Sequence, residues 1–251
     1  MTADEAIPAD LARLWRLPTP ARLGRPAELD VDTVVRTAVD LADRGGLDEV
    51  TLTKVAAALG FTKMALYRHV GSKDELFELM ADFALGPAPT WTTPAQWREG
   101  LRRWAHALLA AYAAHPWVPQ LPIAGPPRGP HAISWMDAAL RPLAATRLDW
   151  ATKVGVVMLV SMHVRQASLL TQQLTDGRAE SGLSESQVNQ NYGAALARLV
   201  DTERFPEAAG LFAAPVFRSP SDQPADSDFV FGLELILNGV AAEIGAPQDD
   251  R

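Results

Sequence analysis

A glycine between two short amphipathic segments constrains this chain more than any other feature. Residues 51–70 read TLTKVAAALGFTKMALYRHV, with Gly60 in the middle. Glycine readily adopts the left-handed backbone conformation that ends a helix and turns the chain. The apolar residues on either side recur at helical spacing: Leu52, Val55, Ala56 and Leu59 before the glycine, and Leu66 and Val70 after it. The pattern predicts two short helices capped by Thr51 and Thr62, with Phe61 anchoring the turn, which is a helix-turn-helix.

The second short helix is predicted to present hydrogen-bond donors, an aromatic ring and an apolar tip to solvent. Such a set suits the reading of base edges and phosphates in duplex DNA. The outward residues are Lys63, Met64, Tyr67, Arg68 and His69. A helical hairpin that only packs inside an all-α domain remains the alternative.

The positive charge of the chain is concentrated in two segments. Residues 11–27 and 51–73 each carry four Lys or Arg and no acid, so a net charge of −7 leaves −15 for the remainder. Two basic islands on an acidic body favour local, oriented attraction to phosphate. Ordinary solvated helix surfaces would also carry such charges.

Helical periodicity and punctuation divide the chain into three parts. A helix is predicted from near Asp32 to Gly45-Gly46, and SKDE at 72–75 is a capping box that opens another helix ending at GPAP, 86–89. Helices are also predicted near 94–114, 149–174, 184–202 and 227–245. We therefore predict an all-α fold, with a flexible basic arm at 1–28, a three-helix DNA-binding domain at 29–86, and a larger ligand-binding and dimerisation domain at 90–246.

Several classes of protein are disfavoured by composition. The chain has no cysteine, its N-terminus lacks the apolar core of a secretory signal, and no apolar run approaches about 20 residues. The five histidines show no metal-ligand spacing, and neither a Gly-rich phosphate loop nor a nucleophile elbow occurs. We predict a cytoplasmic protein that is not an enzyme and has no cofactor, metal or membrane partner.

The run from Val31 to Ala84, above all LTKVAAALGFTKMALYRHVGSKDELFELMADFAL, resembles the N-terminal domain of the tetracycline-repressor (TetR) family of transcription regulators. FGLELILNGV at 231–240 resembles the C-terminal domain of that family more weakly. The resemblance implies a homodimeric repressor that binds double-stranded operator DNA and is released by a small molecule. A DNA-binding regulator or architectural protein without an effector is the alternative.

The resemblance also implies DNA contacts residue by residue. Thr51 and Thr53 would touch phosphate or bases, and Lys73 would hold a phosphate. The recognition helix would place its first three residues at base edges and its later residues at the backbone: Lys63, Met64 and Ala65, then Tyr67 and His69. Arg68 stands where the family often has an aromatic residue and would contact a base or a phosphate.

The helices near 149–174 and 227–245 are the expected dimer surface. The last helix carries an apolar stripe that would face either the partner or the chain's own core: Phe229, Leu233, Ile236, Leu237, Val240 and Ile244. A second set of side chains suits either a cavity for a small, largely apolar effector or a plain aromatic core: Trp104, Leu108, Tyr112, Trp117, Met136, Met158, Met162, His163, Gln166 and Tyr192.

Two further features are interpreted from the residues and the family. His115 falls near one place where the tetracycline repressor binds magnesium, but the stretch directly after Phe83 offers no histidine for the other, so neither magnesium nor tetracycline is predicted. His115-Pro116 is interpreted as a helix terminus. The sequence RLGRP at 22–26, with Arg13 and Arg16 before it, is either a minor-groove hook or a linker with incidental arginines.

Overall fold

A computed structural model describes residues 7–18, 29–91, 96–217 and 226–246, and these residues contain helices and turns but no strand. The all-α prediction is therefore confirmed. The helices are α1 (Ala9–Leu14), α2 (Val31–Gly45), α3 (Leu52–Leu59), α4 (Lys63–Val70), α5 (Lys73–Leu85), α6 (Trp97–Ala114), α7 (Pro130–Leu140), α8 (Trp150–Ser181), α9 (Glu185–Leu199), α10 (Pro206–Ala213) and α11 (Ser227–Gly245). Short 3₁₀ turns lie at Leu47–Glu49, Val118–Gln120, Arg141–Leu143 and Pro215–Phe217.

Side-chain caps and a glycine define the helix-turn-helix as predicted. The Thr51 hydroxyl accepts from the Lys54 amide at 3.1 Å, and the Thr62 hydroxyl accepts from the Ala65 amide at 3.3 Å. Gly60 ends α3 in the left-handed conformation, with φ +73° and ψ +23°. Each cap satisfies an amide that has no partner within its helix, so both short helices begin where the sequence places a threonine.

The DNA-binding domain packs around the apolar faces of α2 to α5. Leu66 and Val70 of α4 are fully buried, and Ala56 of α3 is 2% exposed. Phe61 packs against this core and is half-buried. The same core includes Trp117, Val118 and Leu121, which follow α6. At about 1.5–3 kcal/mol for each fully buried large apolar side chain, these contacts hold a short helix that would not form alone.

The capping box predicted at the start of α5 forms only in part. The Ser72 hydroxyl accepts from the Glu75 amide at 3.0 Å, as expected. The Glu75 carboxylate, however, accepts two hydrogen bonds from the guanidinium of Arg13. The return contact from Glu75 to the Ser72 amide was therefore the wrong expectation, because a charged donor offers a stronger bond than a neutral amide.

The predicted flexible arm is corrected over residues 7–18. These residues form α1 and its C-terminal turn, with Leu14 buried in the core of the DNA-binding domain. Arg13 pairs with Glu75, and Arg16 pairs with Asp32 at 2.6 Å. Two of the four cations of the first basic island are thus neutralised, while the RLGRP segment lies outside the described residues.

Hydrogen bonds from two tryptophans join α7 to α6 and to the end of α5. Helix α6 ends at Ala114 with His115 as its cap, as predicted. Its Trp104 donates to the carbonyl of Trp135 in α7 at 2.9 Å, and the two rings meet edge to face. The indole of Trp135 in turn donates to the carbonyl of Gly86 at 3.0 Å, which joins α7 to the end of α5.

Residues up to Ser168 together with those from Leu233 onward form one compact unit, and Leu169–Gly232 form a second. In the first unit, Arg98 and Arg102 of α6 bond to Glu234 of α11 at 3.1 and 2.8 Å. In the second unit, α9 begins with a complete capping box between Ser184 and Gln187. Aromatic rings of that unit pack together: Tyr192, Phe212 and Phe217.

The sequence analysis expects no segment with the length and hydropathy of a membrane span, and α8 contradicts that expectation. Trp150–Ala179 is long and apolar enough to cross a membrane by those two criteria alone, and 28% of its apolar window is buried. The sequence interpretation missed it because polar residues such as Lys153 and Arg165 interrupt the apolar run.

Candidate DNA-binding surface

Helix α4 separates its buried and exposed residues as a recognition helix does. Leu66 and Val70 point into the core, while Met64 is 72% and Tyr67 37% exposed. Lys63 and Arg68 are also exposed, and Ala65 and His69 are half-buried at the edge of that outer surface. The residues expected to face DNA are therefore available to it.

The outer surface around α4 carries cations that are not committed to carboxylates. Among the described residues, Lys63, Arg68 and Lys73 take part in no ion pair. The Lys63 ammonium lies 5.6 Å from the centre of the Tyr67 ring, and that of Lys73 lies 4.9 Å from the Phe77 ring. These cation–π contacts orient the two ammonium groups but leave their charge unneutralised. Phosphate oxygens could thus bind them without displacing an acidic partner.

The remaining predicted contacts flank α4. Thr53 is exposed on α3, and Thr51 is half-buried because its hydroxyl oxygen caps that helix. The hydroxyl hydrogen of Thr51 remains able to donate. Lys54, the fourth cation of the second basic island, instead pairs with Glu49 at 2.9 Å.

The ten residues proposed to line an effector cavity are spread over different environments. Trp104 and Leu108 are buried in the core. Tyr112 is half-buried, and desolvation raises the pKa of its hydroxyl. Met136 and His163 are half-buried, whereas Met158, Met162 and Gln166 lie on the exposed face of α8. Tyr192 belongs to the second unit.

Among these ten residues, Trp117 has surroundings that argue against a position in an effector cavity. It is 2% exposed within the core of the DNA-binding domain, and its indole N–H donates to Asp43 of α2 at 2.6 Å. A ligand would have to displace that bond to reach its polar edge.

Two concave regions in the described part of the chain are lined by none of the ten. A small one of about 30 Å³ lies between the start of α6 and the end of α7. A groove of about 450 Å³ lies in the second unit, between the end of α8 and α9. An effector cavity at the ten residues therefore stays a prediction.

Two acidic side chains that the sequence analysis missed join the DNA-binding domain to later helices. Asp43 accepts from Trp117 and lies 2.8 Å from Nδ1 of His115. Asp82 of α5 is 7% exposed and accepts from the Ala132 amide in the first turn of α7 at 2.9 Å. The only sequence feature that could have indicated a buried role for Asp82 is its position among the apolar residues of α5. Nothing in the sequence indicated that Asp43 would bond to a distant residue.

Comparisons with known proteins find relatives over most of the chain. Residues 34–80 match the family described as bacterial regulatory proteins, tetR family, and residues 89–244 match the tetracyclin repressor-like C-terminal domain. The chain is 30% identical over 237 residues to the HTH-type transcriptional repressor DrrR1 of Streptomyces coeruleorubidus, which covers 92% of this chain and 86% of that protein.

Solved structures extend the similarity to the whole fold. ActR of Streptomyces coelicolor in complex with actinorhodin is 26% identical with a TM-score of 0.71, covering 87% of this chain and 98% of ActR. BioQ of Mycobacterium smegmatis, with its natural double-stranded DNA operator, is 22% identical with a TM-score of 0.59, covering 86% and 99% of the two chains. At that identity BioQ supports the fold alone.

Proposed function

The chain belongs to the TetR family of DNA-binding transcription regulators, and from this premise we propose that it is a homodimeric cytoplasmic repressor released from its operator by a small, largely apolar molecule. The observation that carries the DNA-binding part is the outer face of α4, where exposed Lys63 and Arg68 have no carboxylate partner among the described residues.

In the proposed complex, α4 enters the major groove and each side chain does what its chemistry allows. Lys63 lies in the first turn and would donate to guanine O6 or N7, a contact worth about 1–3 kcal/mol of discrimination. Met64 and Ala65 would supply apolar contact to base edges. Tyr67, His69 and Lys73 would contact the phosphate backbone. Arg68 on α4, and Thr51 and Thr53 at the start of α3, would contact a phosphate or a base.

The proposed dimer uses the exposed apolar face of α8. Val154, Met158 and Met162 follow one another at four-residue intervals, and the two methionines are 59% and 57% exposed. Exposed apolar patches of this kind mark interaction sites, and a second copy would present two recognition helices to successive major grooves.

Helix α11 would contribute a different face from the one the sequence suggested. The expected stripe is mostly turned inward, since Phe229, Leu233, Leu237 and Val240 are buried within the chain. The side chain of Leu235 is 56% exposed and is available to a partner. The alternative that this stripe faces the chain's own core is thus the better description of those four residues.

Effector release is supported by the ActR complex with actinorhodin, which is a property of ActR and is transferred here as a proposal. Trp104 and Leu108 lie on α6 and Met136 lies on α7, within the domain that matches the family's C-terminal model. A ligand favouring a second arrangement of these helices would shift the dimer to a state of lower DNA affinity.

Binding of the full-length protein to its own upstream DNA tests the proposal, using fluorescence anisotropy at several salt concentrations. Wild type should prefer that duplex over a random one. Lys73→Ala should weaken binding to both duplexes. Because it removes one phosphate contact from each protomer of the dimer, it should lower the salt slope by roughly 1.8. Lys63→Ala should reduce the preference between them. Arg141→Ala, which removes an exposed cation from the C-terminal domain, is the matched control and should leave the slope unchanged.

Two further measurements separate the parts of the proposal. Met158→Lys should convert the dimer to monomer in sedimentation, and a persistent dimer would exclude this face of α8. Actinorhodin and smaller apolar aromatics serve as probes of release from the operator. A protein that binds its operator and responds to none of them would be described better as a regulator without an effector of this class.

A further inference from the structure

Helix α1 lies before residues 34–80, which the N-terminal family model matches, and it contacts the region where the recognition helix ends. Arg13 donates from two guanidinium nitrogens to Glu75, with Nη2 to Oε2 at 2.9 Å. The side chains are 29% and 11% exposed. Two-point pairs of this kind fix direction as well as distance.

The pair lies directly against the turn between α4 and α5. A side chain at Gly71 would place its Cβ 2.2 Å from Oε2 of Glu75 and 3.0 Å from Nη2 of Arg13. Gly71 has φ +62°, so the turn already depends on glycine. The pair thus fills the space behind a tight turn that carries the end of α4 on one side and Lys73 on the other.

Arg13 projects from a helix that is itself held in place. Leu14 is 3% exposed in the core, and the indole of Trp15 donates to the carbonyl of Arg128 at 2.8 Å. The Arg128 guanidinium bonds to Asp10 of α1 at 3.0 Å and also to Glu78 of α5. These contacts anchor α1 to both α5 and the segment before α7.

We propose that Arg13 is a positioning residue for DNA binding, which through Glu75 holds the turn at Gly71 and thereby sets the direction of α4 and of Lys73. Two buried residues, Leu66 and Val70, anchor α4 along its eight-residue length. A contact at its C-terminal end therefore controls its tilt. Because a cation near DNA also attracts phosphate directly, the test must distinguish position from charge.

A double-mutant cycle in the full-length dimer makes that distinction, and it rests on the operator binding proposed above. Arg13→Ala should weaken operator binding about fivefold, at the lower end of the coupling between sites, without changing the salt slope. In the Glu75→Gln background the same substitution should have a smaller effect, since the neutral amide offers Arg13 one acceptor in place of the charged two-point pair. Arg16→Ala removes an equal charge from the same segment but faces Asp32, and should change affinity less than twofold.

Each other outcome overturns the inference. Equal losses for Arg13→Ala and Arg16→Ala would show a general effect of charge. A salt slope lowered by roughly 1.8, which is one phosphate contact for each protomer, would make Arg13 a phosphate contact. Should Arg13→Ala fail to fold, Arg13→Lys keeps the charge without the two-point geometry, and wild-type affinity in that variant would also overturn the proposal. If wild type itself shows no preference for its operator, the proposed function fails instead.

Discussion

Asp43 offers a direct test of how the DNA-binding domain is joined to the residues after α6. Its Oδ1 accepts from the Trp117 indole at 2.6 Å and lies 2.8 Å from Nδ1 of His115. Trp117 is 2% exposed, so Asp43→Ala leaves a buried N–H without a partner. Such a loss costs about 1–3 kcal/mol, and 2 is a fair central value because Asp43 is one-third exposed and water can partly replace it.

The same substitution also brings a gain that must be subtracted. Alanine exceeds aspartate in helix propensity by about 0.5 kcal/mol. Removing an acid from the last turn of α2 relieves an unfavourable interaction with the helix dipole of about 0.3–0.5 kcal/mol. The net expectation is a free energy of unfolding lower by about 1 kcal/mol, which for a chain of this size lowers the melting temperature by about 2–4 °C.

Thermal and denaturant unfolding, followed by circular dichroism at one fixed protein concentration, measure this loss. Asp40→Ala is the matched control, since Asp40 is exposed on the same helix and its substitution should leave stability unchanged or slightly higher. Asp43→Asn keeps an acceptor for the indole and should fall between wild type and Asp43→Ala. If Asp43→Ala is as stable as Asp40→Ala, the hydrogen bonds to Asp43 do not join these segments as described.

Three further predictions concern local geometry and charge. Gly60→Ala should lower the free energy of unfolding by about 1–2 kcal/mol because φ at Gly60 is +73°. Gly60→Asn should lower it less, and equal losses for the two variants in urea unfolding would refute the conformational reason. Gly129→Ala places a Cβ 2.0 Å from Oδ1 of Asp82. It should lower the free energy of unfolding by about 1–3 kcal/mol in the same assay, and an unchanged urea midpoint would show that Asp82 can move aside. A hydrogen bond from Arg102 lowers the pKa of Glu234 below 4.5, so its stabilisation is present above that pH and is lost as the pH falls through the lowered value. Glu234→Gln should therefore reduce the loss of stability on acidification, and an unchanged acid dependence would contradict this.

Local rules in the sequence predicted much of the DNA-binding domain correctly. Thr51, Gly60 and Thr62 act on their own backbone neighbours, so their roles follow from residue type and spacing alone. The inward and outward faces of α4 follow from helical periodicity, and Leu66 and Val70 are buried where that period places them. The assignment to a family followed from this short and specific block.

The apolar residues of the later helices were ambiguous for a physical reason. Periodicity shows that a helix has an apolar face but does not say what covers it. On α11 the predicted stripe packs inside the chain, while Met158 and Met162, first interpreted as cavity lining, are exposed on α8. Residue type allows Trp117 to line a ligand cavity or to belong to an aromatic core, and its position in the fold places it in the core of the DNA-binding domain.

The sequence by itself determined where the short helices begin and end and which side of α4 faces outward, because those features depend on residues within about one helical turn of each other. Tertiary structure alone decided which polar and charged groups that are distant in sequence become partners. Arg13 and Glu75 are separated by 62 positions, and Asp43 and Trp117 by 74. An ion pair or a hydrogen bond requires its two atoms to meet, and no spacing rule reports that meeting until the chain has folded.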